Sequence, residues 1–230
     1  MDIKFDHVQL VIFSPGFIIT EKLKIANAIN SILKDLFNAD PVIMPVPADA
    51  ISEIPRMTLS SKDGKYILNI AKNRVDFVFA NVENSGEYEL PVLGFFENFL
   101  TISKFFKEEL HSQIIRCSIV SGWVIKLEKQ VPTDVLLTKY IRSGTPIMDP
   151  IELELRYLIR ESINEFEVNK WTVLRSSREK NGPVSLLIDM NTLSERQYDF
   201  NNDSLQKFYN SSSVEINKTV NDHLKIMEAE

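Results

Sequence analysis

Between Arg56 and Asn81 the chain reads RMTLSSKDGKYILNIAKNRVDFVFAN, three short apolar runs separated by Lys62-Asp63-Gly64 and Lys72-Asn73. In the second run Tyr66, Leu68 and Ile70 alternate with Ile67, Asn69 and Ala71. In the third, Val75, Phe77 and Phe79 alternate with Asp76, Val78 and Ala80. A period of two sends successive side chains to opposite faces of a strand. Asp-Gly between such runs is a strong hairpin signal, because a type I′ turn needs positive φ at both central residues. The stretch predicts an antiparallel meander with one greasy face that another layer must cover.

Ahead of it, Val8 to Phe13 is a continuous apolar run ended by Ser14-Pro15-Gly16, which reads as a buried strand. Thr20 then suits an N-cap, and Leu23, Ala26, Ile29, Leu33, Leu36 and Phe37 recur at helical spacing. Pro41, Pro45, Pro47 and Pro55 mark an extended crossing loop. After a polar turn over Glu83 to Pro91, a second helix is predicted by Phe95, Phe96, Phe99, Ile102, Phe106 and Leu110. An aromatic stripe at this spacing is core more often than groove, so the Phe rings are expected on Phe77 and Phe79. Ile114 to Leu127 returns to strand.

This gives a ferredoxin-like order, βαβββαβ, over residues 1–128. Residues 129–150 form a connection with a short helical piece at Asp134 to Ile141 and a Ser143-Gly144-Thr145-Pro146 turn. Residues 151–230 then hold a second, three-stranded antiparallel sheet. In its first strand Leu153, Leu155, Tyr157 and Ile159 alternate with Glu152, Glu154, Arg156 and Arg160. The chain closes on a helix striped by Ile216, Val220, Leu224 and Met227, with Ser211 to Ser213 as a possible break. The fold class is α+β with antiparallel sheets, and the second sheet is expected to pack on or continue the first.

Composition narrows the function classes. Across 230 residues, 44% hydrophobic and 25% charged content suits a globular protein with a real core. A formal charge of −6 disfavours a general nucleic-acid binder, which must neutralise phosphates with clustered Lys and Arg. One cysteine, Cys117, allows neither an internal disulfide nor a cysteine-based zinc site, and the expected setting is a reducing cytoplasm. No apolar run reaches membrane-spanning length.

Candidate chemistry is sparse. His7, His111 and His223 match no metal spacing, and Glu108, Glu109 and His111 read as a solvated helix end. Cys117 sits at an alternating strand position and reads as a small buried hydrophobe. Asp189, near a strand end, either carries chemistry or caps the Asn191-Thr192 turn, and the cap is the simpler reading. Arg175 and Arg178, with Lys180 and the nearby Trp171, could meet an anion or an acidic partner in a polar hairpin loop. Trp171, Arg175, Arg178 and Asp189 are the candidate ligand- or partner-binding residues. No catalytic residue, metal site or cofactor is implied.

Several stretches together resemble a sporadically distributed bacterial family of conserved hypothetical proteins. They are Pro55-Arg56, Ser61-Lys62-Asp63-Gly64, Arg74-Val75-Asp76-Phe77, Leu187-Ile188-Asp189-Met190-Asn191, and the closing Ile216-Asn217 and His223-Leu224. An Asp-x-Asp string of the family stands here as Asp189-x-Asn191, so a two-acid site there would be weakened. The resemblance brings no reaction or cofactor with it and implies an accessory role, as in a bacterial defence-type system. The expected function is a non-enzymatic interaction or assembly module that binds a protein partner or its own copies. The alternative is an enzyme or sensor that clamps a nucleotide or other phosphorylated ligand with Arg116, Arg156 or Arg175.

Overall fold

In a computed structural model that describes residues 1–47, 49–82, 90, 92, 94–128, 130–141 and 149–229, the chain begins with β1 (Asp2–Phe13), α1 (Lys22–Ile32) and β2 (Val42–Ile43). The meander follows as β3 (Pro55–Ser60), β4 (Tyr66–Ala71) and β5 (Arg74–Ala80), then α2 (Phe95–Glu108) and β6 (Arg116–Lys126). The remainder is α3 (Pro132–Tyr140), β7 (Glu152–Ile163), β8 (Phe166–Ser177), β9 (Pro183–Thr192) and α4 (Asn202–Glu228). The two expected sheets are one: among the described residues, nine strands in the order β2-β3-β4-β5-β1-β6-β9-β8-β7, with every neighbouring pair antiparallel. The class is α+β.

Register explains why one side of this sheet is covered. Leu68, Phe77, Leu10, Ile119, Met190 and Lys170 stand side by side across six strands. All six are buried, and the five apolar ones are fully enclosed. Phe95 and Phe99 of α2 stack on Phe77 at 4.5 and 6.2 Å between ring centroids, as the aromatic stripe predicts. Ile25, Ala26 and Ile29 of α1 and Val135 and Leu136 of α3 enter the same core. Phe208 of α4 meets Phe166, and the Tyr209 hydroxyl, also on α4, donates to the Val11 carbonyl in the sheet centre. Each buried Phe contributes about 1.5–3 kcal/mol. The four helices among the described residues thus lie on one face.

The same register reveals a duplication. Both β1-α1-β3-β4-β5-α2 and β6-α3-β7-β8-β9-α4 follow the plan βαβββα, and β2 is an addition to the first. The two central strands meet with Leu10 opposite Ile119. Asp76 on β5 faces Val11, and Asp189 on β9 faces Val120. These pairings fit a pseudo-two-fold axis between Leu10 and Ile119, with Asp76 and Asp189 as counterparts.

Several local expectations change. Helix α1 starts at Lys22 behind Glu21, without a side-chain cap from Thr20, and Leu23 points to solvent. It ends at Ile32, ahead of Phe37, because Lys34 and Asp35 take φ of +52° and +60° and break the helical path. Phe37 still reaches the core, 5.9 Å from Phe77. The Asp63-Gly64 connection is not a type I′ turn, since of its two residues only Gly64 has positive φ. Side chains hold it instead. Ser61 Oγ donates to Asp63 Oδ1 at 2.5 Å, and that oxygen also accepts from the Lys65 amide. The hydroxyl first and then the amide lower the Asp63 carboxyl below its usual range.

Helix α4 runs unbroken through Ser211 to Ser213. Ser213 Oγ donates to the Tyr209 carbonyl at 2.6 Å, and the small buried Ser212 and Ser213 let the helix lie close to its neighbours. Of the turn expected over Glu83 to Pro91 only Leu90 is described, and Ser143-Gly144-Thr145-Pro146 lies outside the described residues.

Candidate binding surface

The opposite face of the sheet carries no helix among the described residues, and the pairing rows place its side chains. One row runs Asn69, Asp76, Val11, Ser118, Asn191 and Asn169. The next runs Val78, Gln9, Val120, Asp189, Trp171 and Leu158. A third sets His7 beside Gly122, Leu187, Val173 and Arg156. Beyond the first row, Phe13 lies between Arg74 and Arg116.

Hydrogen bonds fix this face. Gln9 Nε2 donates to Asp76 Oδ1 at 2.6 Å, and Arg74 Nε reaches Asp76 Oδ2 at 2.9 Å. At the counterpart position Ser118 Oγ donates to Asp189 Oδ1 at 2.7 Å, and Asn191 Nδ2 to the same oxygen at 3.2 Å. Arg116 donates to Asn191 Oδ1 at 2.8 Å. Both guanidinium groups lean on the Phe13 ring, at 5.3 Å for Arg74 and 4.8 Å for Arg116. Gly122 is needed where it stands: a Cβ there would come within 2.6 Å of the His7 ring.

Three of the four expected residues meet this face. Trp171 and Asp189 are direct cross-strand partners, and Arg156 lies 5.8 Å over the Trp171 ring. Asp189 is inside β9 and does not cap a turn, because the strand continues to Thr192. Arg175 sits nearer the far end of β8 and pairs with Glu154, whose carboxyl it holds below the usual range. An open depression of about 640 Å³ there is lined by Glu152, Glu154, Arg175 and Ser185, a mixed-sign set. Arg178 lies past the end of β8 and pairs with Asp149 at 2.9 Å.

The acids, histidines and thiol of this part of the molecule stand apart from one another. Asp76 and Asp189 lie three strand spacings and two residues along the strands apart, about 16 Å, beyond the reach of two carboxylates that share a reacting atom. The Ser118–Asp189 pair has no imidazole between its members. His7 bonds Asp6 at 2.7 Å, and His223 lies on the helix side between the hydroxyls of Tyr140 and Tyr157, 2.8 Å from each. Cys117 is buried, and burial raises its thiol well above the ordinary value. Among the described residues no group of three or more His, Cys, Asp or Glu could hold a metal ion, and no helix is long and apolar enough to cross a membrane.

Phe13 and Gln9 are not singled out by the sequence, and Arg74 and Asp76 enter there only through the Arg74-Val75-Asp76-Phe77 resemblance, not as binding candidates. The signal was present in Gln9, Val11 and Phe13 alternating with Val8, Leu10 and Ile12, but Val11 closes the gap and makes the run look continuous. No family model matches the chain, and no curated protein matches it significantly.

Proposed function

We propose that this chain is a non-enzymatic interaction module that holds a protein partner on the helix-free face of its sheet. The observation that carries the reading is the pre-arranged set of Trp171, Phe13, Arg156, Arg74 and Arg116 on that face, since aromatic and Arg side chains dominate protein–protein binding energy. Hydrogen bonds and ring contacts already order these groups, which lowers the entropy cost of docking. The sequence resemblance supports an accessory role, as in a bacterial defence-type system.

The alternative, a clamp for a phosphorylated ligand, needs its arginines to converge. Arg116 and the row holding Arg175 are eight residues apart along β6, about 27 Å. Arg175 is also neutralised by Glu154. These separations favour a broad protein contact over a small anion.

The test is affinity capture from the source organism with three baits: wild type, Trp171→Glu, and Lys218→Glu on the exposed side of α4. The proposal expects a stoichiometric partner with wild type and Lys218→Glu that is lost with Trp171→Glu. A partner retained by Trp171→Glu, or no partner at all, overturns it.

A further inference from the structure

The two edges of the sheet are treated differently. Edge strand β2 is two residues long, with Pro41 just before it and Pro45 soon after. Short length and proline discourage pairing with another strand, because proline has no N–H to offer. At the other edge β7 runs twelve residues without proline or glycine, and its register with β8 is unbroken from Glu152 to Ile163. Among the described residues no strand pairs with its outer side. Leu158 and Ile159, at its middle and on opposite faces, are 42% and 43% exposed.

We infer that β7 pairs antiparallel with β7 of a second copy, about a two-fold axis through Tyr157. The charge pattern selects this occupant and this register. Reversing the strand about Tyr157 sets Glu154 of each copy opposite Arg160 of the other on the helix-free face, and Leu155 opposite Ile159 on the helix side. Two opposite-charge contacts and two apolar contacts form at once, and none of these four positions meets a like charge. Glu154 and Arg160 are both exposed, and their pairs with Arg175 and Glu195 lie at the surface. The junction would satisfy the outward N–H and C=O groups of β7 and extend the sheet across both copies. Being isologous, it closes at two copies.

Sedimentation equilibrium over about 1–300 μM suits an interface at the small end of the size scale. Wild type is expected to be a reversible dimer. Glu154→Arg alone and Arg160→Glu alone each create two like-charge contacts, and each should weaken the dimer about tenfold or more. The double variant restores opposite charges across the axis and should return to within about threefold of wild type. All four positions of the charge pairs are at the surface, so circular dichroism should be unchanged. A wild-type monomer at every concentration, an assembly larger than two, single variants that dimerise as wild type does, or a double variant weaker than either single would each overturn the inference. None of these outcomes bears on capture of a partner by Trp171, so the two proposals fail separately.

Discussion

On the helix-facing side of the N-terminal half, the outer strands β4 and β5 present Tyr66, Leu68, Ile70, Phe77 and Phe79, and an aromatic cluster seals them. In the C-terminal half the helix-facing side of β7 and β8 presents Tyr157, Lys170 and Thr172 among its apolar residues. There Lys170, almost buried, reaches Glu215 of α4 at 2.7 Å and Glu161 of β7 at 3.0 Å, while His223 of α4 joins Tyr140 and Tyr157. One plan is thus filled twice, once with rings that need only area and once with polar groups that need particular partners. Ring packing tolerates small shifts of a helix, whereas a buried hydrogen-bond set holds α4 in one position over β7 and β8.

Substitutions should separate the two halves. The largest effect is expected from Phe77→Ala, which removes the ring shared by Phe95, Phe99, Phe37 and Tyr66. It should cost about 3–5 kcal/mol by chemical denaturation. Lys170→Ala in the other half leaves Glu161 and Glu215 facing each other with only the exposed Lys218, 3.7 Å from Glu215, as a cation, a loss of about 3 kcal/mol. If the network specifies position more than stability, Lys170→Met combined with Glu161→Leu and Glu215→Leu should recover most of that loss. Equal stability of wild type and Lys170→Ala would show that the polar half is filled by packing alone.

The next effect depends on pH. Burial lowers the His223 imidazole from its usual value. Lys170 acts in the same direction and Asp222 against it, and the Tyr140 and Tyr157 hydroxyls face the ring. The folded state therefore keeps the ring neutral where the unfolded chain binds a proton. This contribution is complete above the unfolded value of about 6.5 and is lost as pH falls through the folded value. The stability gap between wild type and His223→Gln should narrow from about pH 8 to about pH 5, and a gap that widens would reverse the assignment. The smallest effect is Asn201→Ala. Asn201 Oδ1 accepts from the Ser204 amide at 2.9 Å as the N-cap of α4, so about 1 kcal/mol is expected.

The strands of the meander, the aromatic stripe of α2 and the alternation of β7 were legible in the sequence, because each obeys a single local period and buries a single face. The continuity of the sheet was not, because it rests on β6 pairing with β9, strands separated by the whole of α3, β7 and β8. The duplication was hidden for a related reason: the halves share topology, but Phe77 of one corresponds in pairing to Met190 of the other. The helix-free face was half legible. Trp171 and Asp189 stood out by type, while Phe13 and Gln9 were masked by an apolar Val11, and Arg178 reads as part of the loop set yet pairs with Asp149 off the sheet.

The central claim is that the helix-free face is the working surface, and oxidative side-chain footprinting with the captured partner tests it most directly. Trp171 and Phe13 report on that face, while Leu23 of α1 and Val214 of α4, 61% and 69% exposed, report on the helical side. The account predicts that bound partner protects Trp171 and Phe13 and leaves Leu23 and Val214 as reactive as in the free chain. Protection of Leu23 or Val214 with Trp171 unchanged would contradict it.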